Sequence, residues 1–159
     1  MPITAQVETT ILLPINAVFE KVVHMDVPQY FTGRWPIASV HSVREQVGHW
    51  NQVGETRKIH LNDGTHLTER ISSYQSGDHF AYELGNLTGA LNILVEKVEG
   101  IWKYVPMENG STVINWRYDF YPKSVIIQPL TWLFVKLLWL PYMKQVMNRI
   151  AIDVGKEIN

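Results

Sequence analysis

VIIQPLTWLFVKLLWLPYM, residues Val125–Met143, carries a single charge, Lys136. By length alone it matches the roughly 20 apolar residues that cross a bilayer. The residues after it argue for a different reading. Met143, Val146, Met147, Ile150, Ala151, Val154 and Ile158 fall on one helical stripe, with Lys144, Gln145, Asn148, Arg149, Asp153 and Lys156 off it. That is an amphipathic helix packed on a core. A span would have to keep Pro129, Lys136 and Pro141 in lipid, so no transmembrane span is expected. Pro141 lacks an N–H and is expected to kink the helix between its two parts. If the helix runs on unbroken, Lys136 points at the core; the kink instead lets it reach water.

The rest of the chain supplies a surface for such a helix to cover. Thr4–Leu13 alternates as a half-buried strand. Pro14 opens a short helix to about His24, and Val27–Thr32 forms a second short helix or turn. Extended segments come next at 37–47, 54–61, 65–74, 79–84, 93–107 and 111–121. Asn62-Asp63-Gly64, Ser76-Gly77-Asp78 and Glu108-Asn109-Gly110 separate them as turns.

The turns set two hairpin registers. A three-residue loop with Gly64 in the left-handed position pairs Leu61 with Thr65. Ile59 then faces Leu67, and Arg57 faces Glu69. The same geometry at Gly110 pairs Trp102 with Trp116 and Tyr104 with Ile114. Val98, Gly100, Trp102, Tyr104, Ile114, Trp116, Tyr118 and Phe120 then share one inner face. A one-residue slip would turn all of them outward, so agreement between the two hairpins constrains both.

At 159 residues the sequence is read as one domain, 1–159, with enough length for a real core. Its net charge of −1 shows no basic stripe and argues against nucleic acid as a partner. The absence of cysteine removes disulfides, thiolate catalysis and cysteine-held zinc. MPITAQVETT has no basic segment followed by an apolar one, so a cytoplasmic protein is expected.

The expected assembly is an α+β fold: a curved seven-stranded antiparallel sheet around a long C-terminal helix. Two short helices come after strand 1, and a cavity lies between sheet and helix. In this order the chain resembles the SRPBCC/START-like helix-grip superfamily of START domains, birch-pollen-allergen proteins and polyketide cyclases. It is most similar to the polyketide cyclase/dehydrase-like branch. The resemblance rests on Gly54-Glu55-Thr56-Arg57, Thr68-Glu69-Arg70-Ile71, Phe80-Ala81-Tyr82, Gly100-Ile101-Trp102, Trp116-Arg117-Tyr118-Asp119-Phe120 and the terminal helix. It implies a cavity for lipids, sterols, polyketides or other hydrophobic molecules; some members catalyse cyclisation or dehydration.

Arg57 and Glu69 are the sharpest candidates. Charges buried among Ile59, Leu67 and Ile71 must be paired. One reading has Arg57 bind a ligand carbonyl or carboxylate while Glu69 orients it or acts as a base; the other is a structural cross-strand ion pair. Tyr82, Trp102, Tyr104, Trp116 and Tyr118 are the candidate aromatic lining, with Ile59, Leu67, Met143 and Met147. Trp35 and Trp50 lie at the expected mouth, and the glycine-flanked stretch 48–54 reads as a lid. His60 and His66 face each other without a third ligand, so neither a metal nor a cofactor is expected. No Ser-His-Asp spacing is recognisable in the sequence.

The function expected is binding of a small hydrophobic molecule, with a cyclase- or dehydratase-type enzyme using Arg57, Glu69 and a cavity tyrosine as the alternative. If the sheet takes the stripe of Trp132 and Trp139, then Leu130, Phe134, Leu137 and Leu138 face outward. They then await a homodimer partner, a membrane surface or a ligand.

Overall fold

The computed structural model describes residues 1–156. Strand β1 (Ile3–Ile11) is followed by helices α1 (Ile15–Val23) and α2 (Val27–Tyr30). Strands β2 (Val40–Arg44), β3 (Thr56–Leu61), β4 (His66–Gln75) and β5 (His79–Gly85) come next. Helix α3 (Gly89–Leu94) leads into β6 (Val95–Pro106) and β7 (Thr112–Pro122). The chain then runs through α4 (Gln128–Leu133), π-helical turns (Phe134–Trp139) and α5 (Leu140–Gly155). Ile158, expected on the α5 stripe, lies outside the described residues.

All seven strands form one antiparallel sheet in the order β1-β7-β6-β5-β4-β3-β2. Both hairpins take the expected registers. Leu61 donates its N–H to Thr65 O at 2.9 Å, and Ile59 faces Leu67 while Arg57 faces Glu69. Trp102 faces Trp116 and Tyr104 faces Ile114. Gly64 and Gly110 sit at φ +84° and +83°, where a side chain would be strained. The inner face from Val98 to Phe120 is buried as the alternation requires. Trp102 and Trp116 stack with ring centroids 4.5 Å apart, worth about 0.5–1.5 kcal/mol beyond area burial.

Helix α5 lies on β1 and the short helices, presenting Met143, Val146, Met147, Ile150 and Val154 to the core. Its Tyr142 hydroxyl accepts from the Gly33 N–H at 3.2 Å, and Arg149 donates to Tyr30 O at 3.3 Å.

Two elements differ from expectation. The segment read as one strand from Ile93 begins as helix α3, too short to show a helical period beside an extended run. The irregularity in the terminal helix falls before Pro141 rather than at it. Pro141 sits in the first turn of α5, where its missing N–H and its ring would disturb the turn before it. Phe134–Trp139 meets that with i→i+5 turns that accommodate one extra residue. Upstream side chains rotate accordingly. Phe134 and Trp139, five apart, come together with ring centroids 6.3 Å apart, both against Phe120. Trp132, expected inside, is exposed instead, while Phe134, expected outside, turns in. Lys136 faces neither cavity nor open water: its Nζ donates to Thr4 O of β1 at 2.6 Å. No helix among the described residues is long and apolar enough to cross a membrane.

Candidate functional site

A cavity of about 260 Å³ lies between the sheet, the short helices and the π-helical turns. That is near the lower end of small-molecule sites, about 300–1,000 Å³. Apolar wall is supplied by Val22, Phe31, Leu84, Leu94, Phe120 and Phe134, among others. Of the residues singled out by sequence, Arg57, Glu69, Trp50, Ile59, Leu67, Tyr82, Trp102 and Tyr118 lie on the wall. Tyr104, Trp116, Met143 and Met147 are buried in the packing behind it, and Trp35 is 92% exposed. The α3 residues Leu91 and Leu94 line it without having been singled out, as do Trp139, expected on the sheet side, and Phe134, expected to face outward. The π-helical phase puts Phe134 there.

Arg57 and Glu69 sit on neighbouring strands at directly opposed positions, both about nine-tenths buried. Arg57 Nε donates to Glu69 Oε2 at 2.6 Å. The guanidinium also lies 3.9 Å from the centre of the Trp50 ring, a cation–π contact. Neither Nη has a hydrogen-bond partner among the described residues. Trp50 is 2% exposed, so it closes the wall rather than standing at the mouth. Its loop is tied down by Glu55. One carboxylate oxygen accepts from His49 N at 3.3 Å; the other accepts from Asn51 N at 2.7 Å and Gln52 N at 3.2 Å. Burial works against the charged form of Glu55, but these three N–H donors outweigh it and hold the carboxyl below its ordinary value.

On the same inner sheet face Tyr82 and Tyr118 share a hydrogen bond of 2.7 Å, and Trp102 Nε1 donates to the Tyr82 hydroxyl at 3.3 Å. Burial, with the Glu69 charge added, pushes Tyr82 up to about 12. Burial likewise raises Tyr118 well above its ordinary value. Both therefore remain protonated donors at neutral pH. A Cβ on Gly100 would come within 2.7 Å of the Tyr82 ring. Gly100, the cross-strand partner of Tyr82, is thus the space in which that ring lies. Trp50 and Trp139 are on the wall, and their Nε1 atoms are buried without a partner among the described residues. Asp63, Thr65, His66 and Thr88 add further polar groups to the wall.

No group of three or more metal-ligating side chains occurs among the described residues. His60 and His66 do face each other, with ring centroids 6.0 Å apart, but His66 edges the cavity rather than lying wholly on the outer face. A Ser-His-Asp chain, unseen in the sequence, does form. Ser73 Oγ meets His79 Nε2 at 2.7 Å, and His79 Nδ1 meets Asp78 Oδ2 at 2.5 Å. None of the three lines the cavity. They clasp the β4–β5 turn, where a bulge at Ser72 brings Ser73 within reach of His79 across the hairpin.

A family model described as polyketide cyclase/dehydrase and lipid transport matches residues 2–154. The chain belongs to this family. No curated protein matches the sequence. Among solved structures, this polyketide cyclase/dehydrase family member is similar to norcoclaurine synthase from Thalictrum flavum, in complex with dopamine and hydroxybenzaldehyde. That match has TM-score 0.68 at 12% identity, covering 96% of this chain and 88% of that one. It is also similar to Ara h 8.0201, with TM-score 0.62 at 20% identity over 94% and 98% of the two chains. A protein from Nitrosospira multiformis matches with TM-score 0.64 at 14% identity over 99% and 97%. These likenesses establish the helix-grip fold of the family.

Proposed function

We propose that the protein binds a neutral hydrophobic small molecule bearing a carbonyl oxygen, held by Arg57 inside the cavity. The observation that carries this is an ion pair with unused guanidinium donors in a largely apolar wall. Arg57 and Glu69 together are neutral, and both tyrosines are uncharged at neutral pH. A ligand carboxylate would leave the cavity with a net buried charge, which is costly in low dielectric. A ligand ammonium would likewise bring a net charge into the buried part of the cavity, where Glu69 already gives Oε2 to Arg57. A carbonyl accepts from Arg57 or a tyrosine hydroxyl and adds no charge. Matched long-chain methyl ketones, carboxylic acids and amines test this by thermal shift and native mass spectrometry. Ketones should raise the melting temperature and stay bound; preferential binding of the acids or amines would overturn the reading.

A second reading uses the same groups for chemistry. Glu69 takes a proton next to a ligand carbonyl while Arg57 and a tyrosine hydroxyl hold the resulting enolate oxygen, as a cyclase or dehydratase requires. The complex of norcoclaurine synthase with two aromatic molecules, on the same fold, is in keeping with it. If Arg57→Ala and Glu69→Gln leave turnover of an active substrate unchanged, that reading fails. In either case a ligand of low water solubility has to be exchanged with an apolar phase. The exposed apolar face over residues 125–137, open to a second copy or a membrane, is the surface suited to it.

A further inference from the structure

Ile126, in the turn before α4, and Leu130, Leu133 and Leu137 succeed one another at spacings of four, three and four residues, a run along the outer side of α4 and the π-helical turns. All four are exposed, Ile126 to 92%, and Val125 and Trp132 beside them are exposed as well. Large apolar side chains gathered this way mark a contact surface. The charges around the stripe indicate its partner. Between residues 120 and 152 the sequence holds Lys123, Lys136, Lys144 and Arg149 and no Asp or Glu, in a chain of net charge −1.

Three of these cations are held by neutral groups: Lys123 by Asn92 Oδ1, Lys136 by Thr4 O, and Arg149 by Tyr30 O and Thr32 Oγ1. Their positive charge is oriented but not cancelled. On neighbouring β6 the acidic side chains are Glu96, which is exposed, and Glu99, which is bound to Lys97 and Tyr121.

We infer that this face docks onto an anionic lipid bilayer, inserting Ile126, Leu130, Leu133 and Leu137 while Lys123 and Lys144 meet the headgroups. A twofold dimer through the same stripe would bring two lysine-bearing surfaces together. A bilayer offers apolar depth and negative charge that compensates each Lys or Arg near the surface. Trp132 sits where an indole favours the interface. The location serves the cavity too, since Phe134 and Trp139 line it from the same turns. Neighbouring α3, packed against α4, exposes Ile93 while Leu91 and Leu94 face the cavity. The inference rests on the cavity reading for its purpose, but its test does not.

Co-sedimentation with phosphatidylcholine vesicles, with and without phosphatidylglycerol, decides it. Wild type should sediment with the anionic vesicles at least tenfold better than with neutral ones, and lose that preference in high salt. Leu130→Asp/Leu137→Asp should abolish sedimentation. Lys123→Glu/Lys144→Glu, which leaves the stripe intact, should remove the anionic preference, with unchanged circular dichroism in both variants. Binding of a long-chain methyl ketone, measured without vesicles, should be unaltered in both, so a failure of docking and a failure of ligand binding are told apart. Wild type remaining in the supernatant, equal sedimentation with both vesicle types, or a concentration-dependent dimer abolished by Leu130→Asp/Leu137→Asp would overturn the inference.

Discussion

Two residues set the shape of the site without taking part in it. Gly100 leaves the space that the Tyr82 ring fills, so Gly100→Ala forces the ring outward and separates the two tyrosine hydroxyls. The expected loss is about 1–3 kcal/mol, the range for overpacking, seen as a lower denaturant midpoint at unchanged slope. Glu55 pins the loop that carries Trp50. Its folded carboxyl titrates below the ordinary 4.5, so its stabilisation is present above that value and is lost as the pH falls through the lower, folded one. Glu55→Gln should therefore loosen residues 48–54 already at neutral pH. Amide hydrogen exchange should show loss of protection there and little change in the β6–β7 hairpin. Equal protection of the loop in variant and wild type would refute the pinning role. The turn glycine at 64 and the opposed Arg57 and Glu69 are legible from residue types alone, because turn chemistry fixes register and register fixes what faces what. Trp50 is not: the sequence suggests a half-exposed residue at the mouth. Its burial depends on Arg57 and on Glu55, neither of which marks it in the local sequence.

At the scale of elements, the strands are readable because alternation and turn residues agree with each other. The terminal helix is only half readable. Its amphipathic part, from Met143, shows its core face through a regular period. The part before Pro141 is apolar all round, so no face stands out, and the π-helical turns change the phase without a sequence signal beyond the proline. Hence the sequence suggests Trp132 inside and Phe134 outside, the reverse of the structure. This gives a prediction specific to the element. Deleting Leu138 would remove the extra residue and rotate the upstream side chains by about 100° relative to α5. Phe134 should leave the cavity wall, and ketone affinity should fall at least tenfold while helical circular dichroism is retained. Unchanged affinity would mean that the π-helical phase is irrelevant to the site.

For the whole molecule, the fold rests on one complementarity: an apolar, aromatic sheet face and a helix stripe that covers it. The cavity exists because the cover is incomplete, and what remains in the gap is a charge pair that packing alone does not require. Replacing a buried ion pair with apolar residues of similar volume is often neutral or stabilising by about 1–4 kcal/mol, whereas removing one partner costs about 3–5. Glu69→Leu alone should therefore lower the melting temperature markedly, and Arg57→Met/Glu69→Leu should restore or exceed that of wild type. A bound ketone should stabilise wild type by mass action, about 2.7 kcal/mol at a hundredfold excess over Kd. The most direct test of the account is the calorimetric affinity of a long-chain methyl ketone for Arg57→Met/Glu69→Leu against wild type. The account predicts at least a tenfold loss of affinity in a protein as stable as wild type or more so; an unchanged affinity would contradict it.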